Sequence, residues 1–576
     1  MSDTDQRTAN ATESCDVVVV GAGISGLYAV HRLRSLGLSV ICFERGAGVG
    51  GTWFWNRYPG ARCDVPSMFY SYSFDADLEQ EWEWSERFPA QPELLRYLNH
   101  VADRFDLRRD IRLETSVTGG TWDEAAGRWL VTTDRGERVS AQHLVAASGN
   151  LSKPNRPDFE GLDDFAGVWH HTAAWPEGGV DLAGKRVAVI GTGSTGVQIV
   201  PQLAQQAAHL TVLQRTANHA ASAMNRPLDA QDQAAVKRRY REFRQASRES
   251  AFGIALEMTP GEPWETGPRY PSVFDFSEDE ARAIMEERWA FGGGMALQNA
   301  FADIMVDLKA NEVVAGFVRD KIDEIVEDPE TAELLYPSGH PFGSKRLCVE
   351  MGYYETFNRE NVSLVDVRKT PIERITRDGV RLRDGREIEL DVIVFATGFD
   401  AITGALLRLE LTGRDGLTLR EKWSDGPRTY LGLMTSGFPN LFTVTGPNSP
   451  SVLSNMMTSI EQHVEWIADT IADLRERGVA TLEATPEAEE IWTEHCTAVV
   501  AGTVLPLANS WWLGKNIPGK PTVFMPYAGG VGVYRRQCDT VRANGYEGFA
   551  VDGEVVPLAG EEGSAVAIAK DALALA

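Results

Sequence analysis

The sequence predicts an α/β protein made of two nucleotide-binding units, with a helical insertion in the second. Two apolar strands each run into a glycine turn of GxGxxG spacing and then a helical pattern, "VVVVGAGISG" and "VAVIGTGSTG". A second apolar strand follows each helix, "LSVICFE" and "LTVLQRT". From Asp229 to about Leu335 the pattern becomes helical throughout. Strand, glycine turn and helix in that order are the fingerprint of a Rossmann-like dinucleotide site, and two copies in one chain predict two such sites.

The first fingerprint supplies Gly21, Gly23 and Gly26, which allow a tight turn, close backbone approach to a pyrophosphate and tight helix packing. Its second strand ends in Glu44, a carboxylate suited to an unmodified ribose 2'-hydroxyl. In the second fingerprint Gly191, Gly193 and Gly196 repeat the geometry, with Ser194 and Thr195 opening the helix. The strand after it ends in Gln214, Arg215 and Thr216, where a guanidinium suits a 2'-phosphate. These two endings predict FAD at the first site and NADPH, leaving as NADP+, at the second. A hydride passing between them is the simplest use of the pair.

Between the fingerprints, "GGTWFWNRYPGARCDVPSMFYSYSF" has neither helical nor strand periodicity and is expected to be an ordered loop. "QPELLRYLNHVADRFDL" is apolar at helical spacing, "TWDEAAGRWLVTTDRG" reads as two strands, and "HLVAASG" is a buried strand. The proline-rich "NLSKPNRPDFEG" is a linker. In the insertion, "DAQDQAAVKRRYREFRQAS" reads as a helix, the Ser277 to Glu280 capping box opens another, and a long amphipathic run spans Ala296 to Val326. "VSLVDV", "IERIT" and "DVIVFATGF" are strands completing the second unit, and "NLFTVTGPN" with "SIEQHVEWIADTIADLRERG" returns to the first. The expected domains are 1–150 plus 391–550 for FAD, 153–222 plus 336–390 for NADP, 223–335 for the insertion and 551–576 as a C-terminal tail, read as a surface helix.

At 576 residues the chain exceeds one core and divides into several domains. It is 43% hydrophobic and 24% charged, as soluble globular chains are, with a net charge of -26 that opposes nucleic-acid binding. No apolar run approaches the roughly 20 residues of a membrane span and the N-terminus is polar, so a cytoplasmic, non-membrane protein is expected. The six cysteines have no CxxC spacing, which argues against a disulfide reductase, and no histidine or cysteine grouping suggests a metal.

A third pattern lies between the fingerprints. In "FAGVWHHTAAWP", Phe165, Gly167, His171, Trp175 and Pro176 have the spacing FxGxxxHxxxWP. This resembles the signature of the Baeyer-Villiger monooxygenases, flavoproteins that use NADPH and O2 to convert ketones to esters or lactones through a flavin C4a-peroxide. The resemblance runs from about Cys15 to Ala550 and includes "GGTWFWNRYPGARCD", "KRLCVEMGYYETFNRENV", "FATGFDAITG" and "NSWWLGKNIPGKP". "GPNSPSVLSNMM" is most similar to the phenylacetone monooxygenase branch.

What the resemblance implies is specific. Arg346 would be the fixed cation beside the flavin, suited because arginine does not lose its proton at working pH, and Asp64 would orient it. Gly51, Thr52, Trp53, Trp55 and Tyr70 would belong to the FAD site, with Trp53, Trp55 and Tyr58 covering or packing beneath the flavin. Lys345 would join Arg215 and Thr216 at the 2'-phosphate, and Trp511 would sit on a closing segment over the nicotinamide ribose. Ser451, Val452, Leu453 and Met456 would line the substrate pocket. His171 would have a structural or conformational role between domains. Two departures stand out: Ala217-Asn218-His219 replaces the family's usual proline and aromatic, and Val452 is bulkier than the closest branch implies. Oxidation of sulfur or nitrogen, or uncoupled NADPH oxidation as in a redox sensor, are the alternatives.

Overall fold

The structure is a computed structural model that describes residues 12–255 and 267–558. Two sheets organise it, one mixed and one parallel, each grown from one fingerprint. In the first, Glu13–Val20 lies between Val40–Phe43 and Arg138–Ala146, all parallel, with Ile111–Arg112 at one edge. The chain returns to this sheet after the second unit: Leu411–Thr412 pairs in parallel with residues 120–121, and the "NLFTV" strand, Leu441–Thr443, with residues 144–146. Val117–Asp123 and Arg128–Thr133 form the expected hairpin and continue the sheet in antiparallel fashion. Val17, Val18 and Val19 have no exposed surface, as befits a strand covered on both faces.

The second sheet is parallel throughout, in the order Val362–Asp366, His209–Gln214, Arg186–Ile190, Val392–Phe395, Val168–His171. Residues 392–395 are thus an inner strand of this sheet. A boundary at 390 would cut a hydrogen-bonded strand from its sheet, so the second unit extends past that expected limit. "IERIT" becomes Ile372–Thr376 in a separate three-stranded antiparallel sheet.

The insertion divides between the two units. Its first helices, Ala230–Lys237 and Tyr240–Glu249, put Val236, Tyr240 and Phe243 into the core of the first unit. The later ones, Glu278–Phe291, Leu308–Ile325 and Pro329–Leu335, pack into the core of the second. The Ser277–Glu280 capping box forms. The Ala296–Val326 run is not one helix: a short turn at Met295–Gln298 ends, Phe301 and Ile304 turn into the core, and Asp307 caps a new helix by accepting from the Lys309 and Ala310 N–H groups. Likewise the Asp229 segment breaks at Arg238–Arg239. Residues 551–555 are not a helix but the end of a small sheet, Phe549–Val551 with Glu554–Val555, and the rest of the tail lies outside the described residues. All six cysteines are buried and free.

Candidate active site

The carboxyl ends of the parallel strands of both sheets open onto one cavity of about 980 Å³, the place where open α/β sheets bind ligands. The two glycine turns face it in the same way. Gly21 and Gly191 have φ of +102° and +115°, and a Cβ on either would stand 2.7 Å from the Ala147 carbonyl oxygen or 2.4 Å from that of Ala396. No residue but glycine fits there. Gly26 and Gly196 lie behind the wall, where a Cβ would strike the carbonyl of Gly21 or Gly191, so they serve helix–strand packing. Gly193 differs: a Cβ there would meet nothing within 4 Å. The protein leaves that space free, as close approach of a pyrophosphate requires.

Glu44 is buried, and its carboxylate accepts from the N–H groups of Ala22 (2.8 Å) and Gly46 (2.7 Å). Those bonds hold it at the first glycine turn, on the cavity wall, with lone pairs to spare for a ribose hydroxyl. Gly51, at φ +53°, brings its segment against Gly23, with a Cβ position only 2.7 Å from the Gly23 Cα. Thr52, Trp53, Trp55 and Tyr70 follow on the same wall. The Trp53 indole N–H donates to the Tyr70 hydroxyl at 3.3 Å, and the Arg45 guanidinium lies 4.5 Å over the Trp55 ring.

This segment also fastens one unit to the other. The Tyr58 hydroxyl donates to Gln198 Oε1 (2.7 Å), the Gln198 amide donates to the Arg62 carbonyl (3.0 Å), and Gly60 rests on the Gln198 backbone. Gln198 belongs to the second fingerprint helix, Ser194–Ala204. Tyr58 lines the cavity as well, and Gln198, which no local sequence signal marks, is its partner across the two units.

At the second fingerprint, Ser194, Thr195, Arg215, Thr216 and Lys345 line the cavity. Neither Arg215 nor Lys345 has a carboxylate partner among the described residues, although the chain carries 82 acidic side chains against 56 basic ones. Burial first, and then the charge of Arg215, hold the Lys345 ammonium below its ordinary value. Two neighbouring cations left without a counter-ion in an acidic protein fit a phosphate, and so the residues present fit NADP.

Arg346 stands at the junction. Its Nε and Nη2 donate to the two Asp64 oxygens at 2.6 and 2.7 Å, and Nη1 donates to the Val452 carbonyl at 2.7 Å. Of five guanidinium N–H groups this leaves one on Nη1 and one on Nη2. The side chains retain 30% and 24% accessibility, and both line the cavity. Burial raises the Asp64 pKa, but the Arg346 charge and its hydrogen bonds outweigh that and hold the carboxyl below its ordinary value. Burial likewise opposes the charge on Arg346, and Asp64 more than offsets it. The pair stays doubly ionised.

The expected pocket residues separate. Val452 and Met456 line the cavity, whereas Ser451 and Leu453 do not. Ser451 is buried at φ +44°, its hydroxyl accepting from the Asn150 amide at 2.6 Å, which turns it into the structure. Leu453 packs with Val452, Trp512 and Met525 in an apolar cluster behind the wall.

Trp511 lines the cavity from a short 3-10 turn, Trp511–Leu513. The signature residues do not line it. Phe165 is core, Gly167 has room for no Cβ because the Asp391 carbonyl would be 2.4 Å away, Trp175 is core and Pro176 flanks it. His171 ends the edge strand of the second sheet: Nδ1 accepts from the Ala173 N–H (3.1 Å), so Nε2 carries the proton and donates to Thr397 Oγ1 (3.3 Å). Burial holds it below its ordinary pKa, against the carbonyls of Asn155 and Gly398. It is a neutral link between the sheet and the Thr397 turn.

Two dinucleotide cradles meeting at one half-buried arginine define a flavoprotein oxidoreductase that works with a pyridine nucleotide. Comparison with known proteins gives the family. Residues 14–247 match the flavin-binding monooxygenase-like family. A Baeyer-Villiger monooxygenase of Pseudooceanicola batsensis is 44% identical over 95% of this chain and 98% of its own. An acetone monooxygenase (methyl acetate-forming) of Gordonia sp. is 43% identical over 94% and 100%. Among solved structures, steroid monooxygenase bound to NADP shares 53% identity at a TM-score of 0.87, covering 94% and 99% of the two chains. The closed form of cyclohexanone monooxygenase shares 45% at 0.90, over the same 94% and 99%. The chain belongs to the Baeyer-Villiger monooxygenases, FAD-dependent enzymes that use NADPH. No helix among the described residues is long and apolar enough to cross a membrane.

Proposed function

We propose that this protein oxidises ketones to esters or lactones with NADPH and O2, at the wall formed by Arg346, Asp64 and Val452. Bound FAD, reduced by NADPH, would supply the two electrons that activate O2, one atom of which goes to the ketone and the other to water. The Gly21–Gly26 turn, Glu44 and Thr52 would hold it, and Arg215, Thr216 and Lys345 would hold the coenzyme 2'-phosphate. A small ketone and O2 are then the partners, in the cytoplasm.

The observation that carries the reading is the Arg346–Asp64 pair. Its two remaining N–H groups belong to a guanidinium pinned by three hydrogen bonds to two partners, so little reorganisation is needed when negative charge develops in front of it. Charge held on the transferred oxygen favours attack on a carbonyl carbon as a nucleophile. Val452 and Met456 supply an apolar wall for the ketone, and Trp511 helps exclude water. The 53% identity with a steroid monooxygenase supports cyclic, aromatic or steroid-like ketones, and the Gly446–Met457 segment supports the phenylacetone-like branch.

Oxidation at nitrogen or sulfur is the second reading, supported by 42% identity over 94% of the chain with a phenazine N-monooxygenase of Lysobacter antibioticus. A panel of ketones with a thioether and an aromatic amine as controls, read by gas chromatography, separates the two. Esters from ketones support the first reading. Sulfoxide or N-oxide alone supports the second, and peroxide alone indicates an uncoupled oxidase.

A further inference from the structure

The segment that carries Trp511 is held against residues 399–401 by one carboxylate and by hydrogen bonds to backbone carbonyls. Asp400, in "FATGFD", is 9% exposed and accepts from two lysines that come from different parts of the chain. Lys520 donates to Oδ1 at 2.7 Å and also to the Ala401 carbonyl at 2.8 Å, and Lys153, in the linker, donates to Oδ2 at 2.8 Å. The Lys520 side chain is 11% accessible, that of Lys153 40%. Beside them the Asn516 amide donates to the Phe399 carbonyl at 2.7 Å.

We infer that Asp400 is a positioning residue that clamps the Trp511 segment over the cavity, gripping Lys520 of that segment while Lys153 steadies Asp400 against the linker. Three features support this. Lys520 is the buried arm, so opening the segment separates a desolvated ion pair, unlike a surface pair, which contributes little. Gly404 keeps room for the grip: a Cβ there would stand 2.5 Å from the Asp400 carboxyl carbon. The residues between the clamp and the cavity, Trp511 and Asn516, both line the cavity, so the segment cannot leave Asp400 without uncovering it. On its far side Trp512 is anchored in the apolar cluster with Val452 and Met525, which leaves the Lys520 side as the polar and separable edge.

The inference rests on the cavity being the coenzyme site, and the test separates the two. FAD-loaded wild type, Lys520→Met, Lys520→Arg and Gly404→Ala are compared with NADP+ present, reading NADP+ affinity and release by fluorescence and mapping chymotrypsin cuts after residues 511–513. Flavin content and melting temperature identify any variant that fails to fold. The clamp predicts that Lys520→Met speeds cleavage at 511–513 and NADP+ release by about tenfold or more, as expected for loss of a charge-assisted bond, with cuts elsewhere within about twofold. Lys520→Arg should restore most of the protection, and Gly404→Ala, which changes no charge, should weaken it. If NADP+ binds wild type while Lys520→Met and Gly404→Ala are both cleaved and release it at the wild-type rate, the clamp is overturned. If NADP+ does not bind wild-type holoenzyme, the coenzyme reading falls, and the clamp with it.

Discussion

Asp64 holds Arg346 by two parallel N–H···O bonds of 2.6 and 2.7 Å across 282 positions of sequence. The carboxylate comes from the aromatic loop of the first unit and the guanidinium from the chain as it returns from the helical insertion. The two units therefore meet at a charge pair whose orientation depends on both.

Asp64→Asn keeps the shape but gives up the charge that orients Arg346. One side of the bidentate contact becomes a neutral amide, which accepts at one atom only. Product formation should fall by about tenfold to a thousandfold, the range for misplacing an electrostatic donor, with coenzyme KM within a few-fold of wild type. Steady-state kinetics on any accepted ketone checks this, and an unchanged kcat would show that Arg346 needs no partner.

The pH behaviour of that pair has a definite sign. Asp64 is held below its ordinary value, so the pair is intact above that range and is lost only as pH falls through the depressed value, below about 4. Between pH 5 and 7 the Arg346–Asp64 pair should contribute no acid limb to the rate. An acid limb near pH 6 that disappears in Asp64→Asn would contradict this.

Arg215→Ala removes one of the two neighbouring cations at the second fingerprint, neither of which has a carboxylate partner among the described residues. A charge-assisted contact to phosphate is worth about 1.5–3 kcal/mol, so the KM for NADPH should rise about tenfold to a hundredfold while that for NADH moves less than about threefold. Equal changes for both coenzymes would remove Arg215 from the 2'-phosphate site.

Lys345 gives the coenzyme preference an alkaline limit. Burial and Arg215 depress its pKa, so the ammonium is lost as pH rises through a value below the usual 10.5. The preference for NADPH over NADH should decline from pH 8 to 10. Lys345→Arg, which keeps its charge, should flatten that decline, and a flat wild-type ratio would count against a role for Lys345.

Val452 has two jobs, and substitution separates them. Its carbonyl accepts from Arg346 and its side chain faces the cavity. Val452→Ala keeps the carbonyl and opens the wall, so the ketone spectrum should shift toward bulkier substrates with flavin reduction by NADPH unchanged. A panel of graded ketones measures it.

Local chemistry made much of this legible in the sequence. Gly21, Gly191 and the strands before them announce themselves because only glycine fits those turns, and Glu44 and Arg215 follow at fixed distance on the next strand. The Ser277 capping box is equally local. What escaped depends on tertiary contact: the break before Asp307 needed Phe301 and Ile304 to find the core, and the division of the insertion between two cores leaves no mark in periodicity. Ser451 looked like a pocket residue because its neighbours are, but Asn150, 301 positions earlier, turns its hydroxyl away. The strand at 392–395 joins the second sheet, as its reading with the strands of the second unit expects, and only the boundary drawn at 390 falls short of it. Gln198 and the Asp400 clamp lie in stretches whose side chains are ordinary until folded.

The most direct test of the central claim is Arg346→Ala, followed in two half-reactions. Anaerobic stopped-flow should show flavin reduction by NADPH at a rate within a few-fold of wild type, because Arg215 and Lys345, which the variant keeps, are the coenzyme cations, while aerobic turnover with ketone should consume NADPH and yield peroxide without ester. Ester at wild-type yield from that variant would show that oxygen transfer does not depend on the cation the two units were folded to hold.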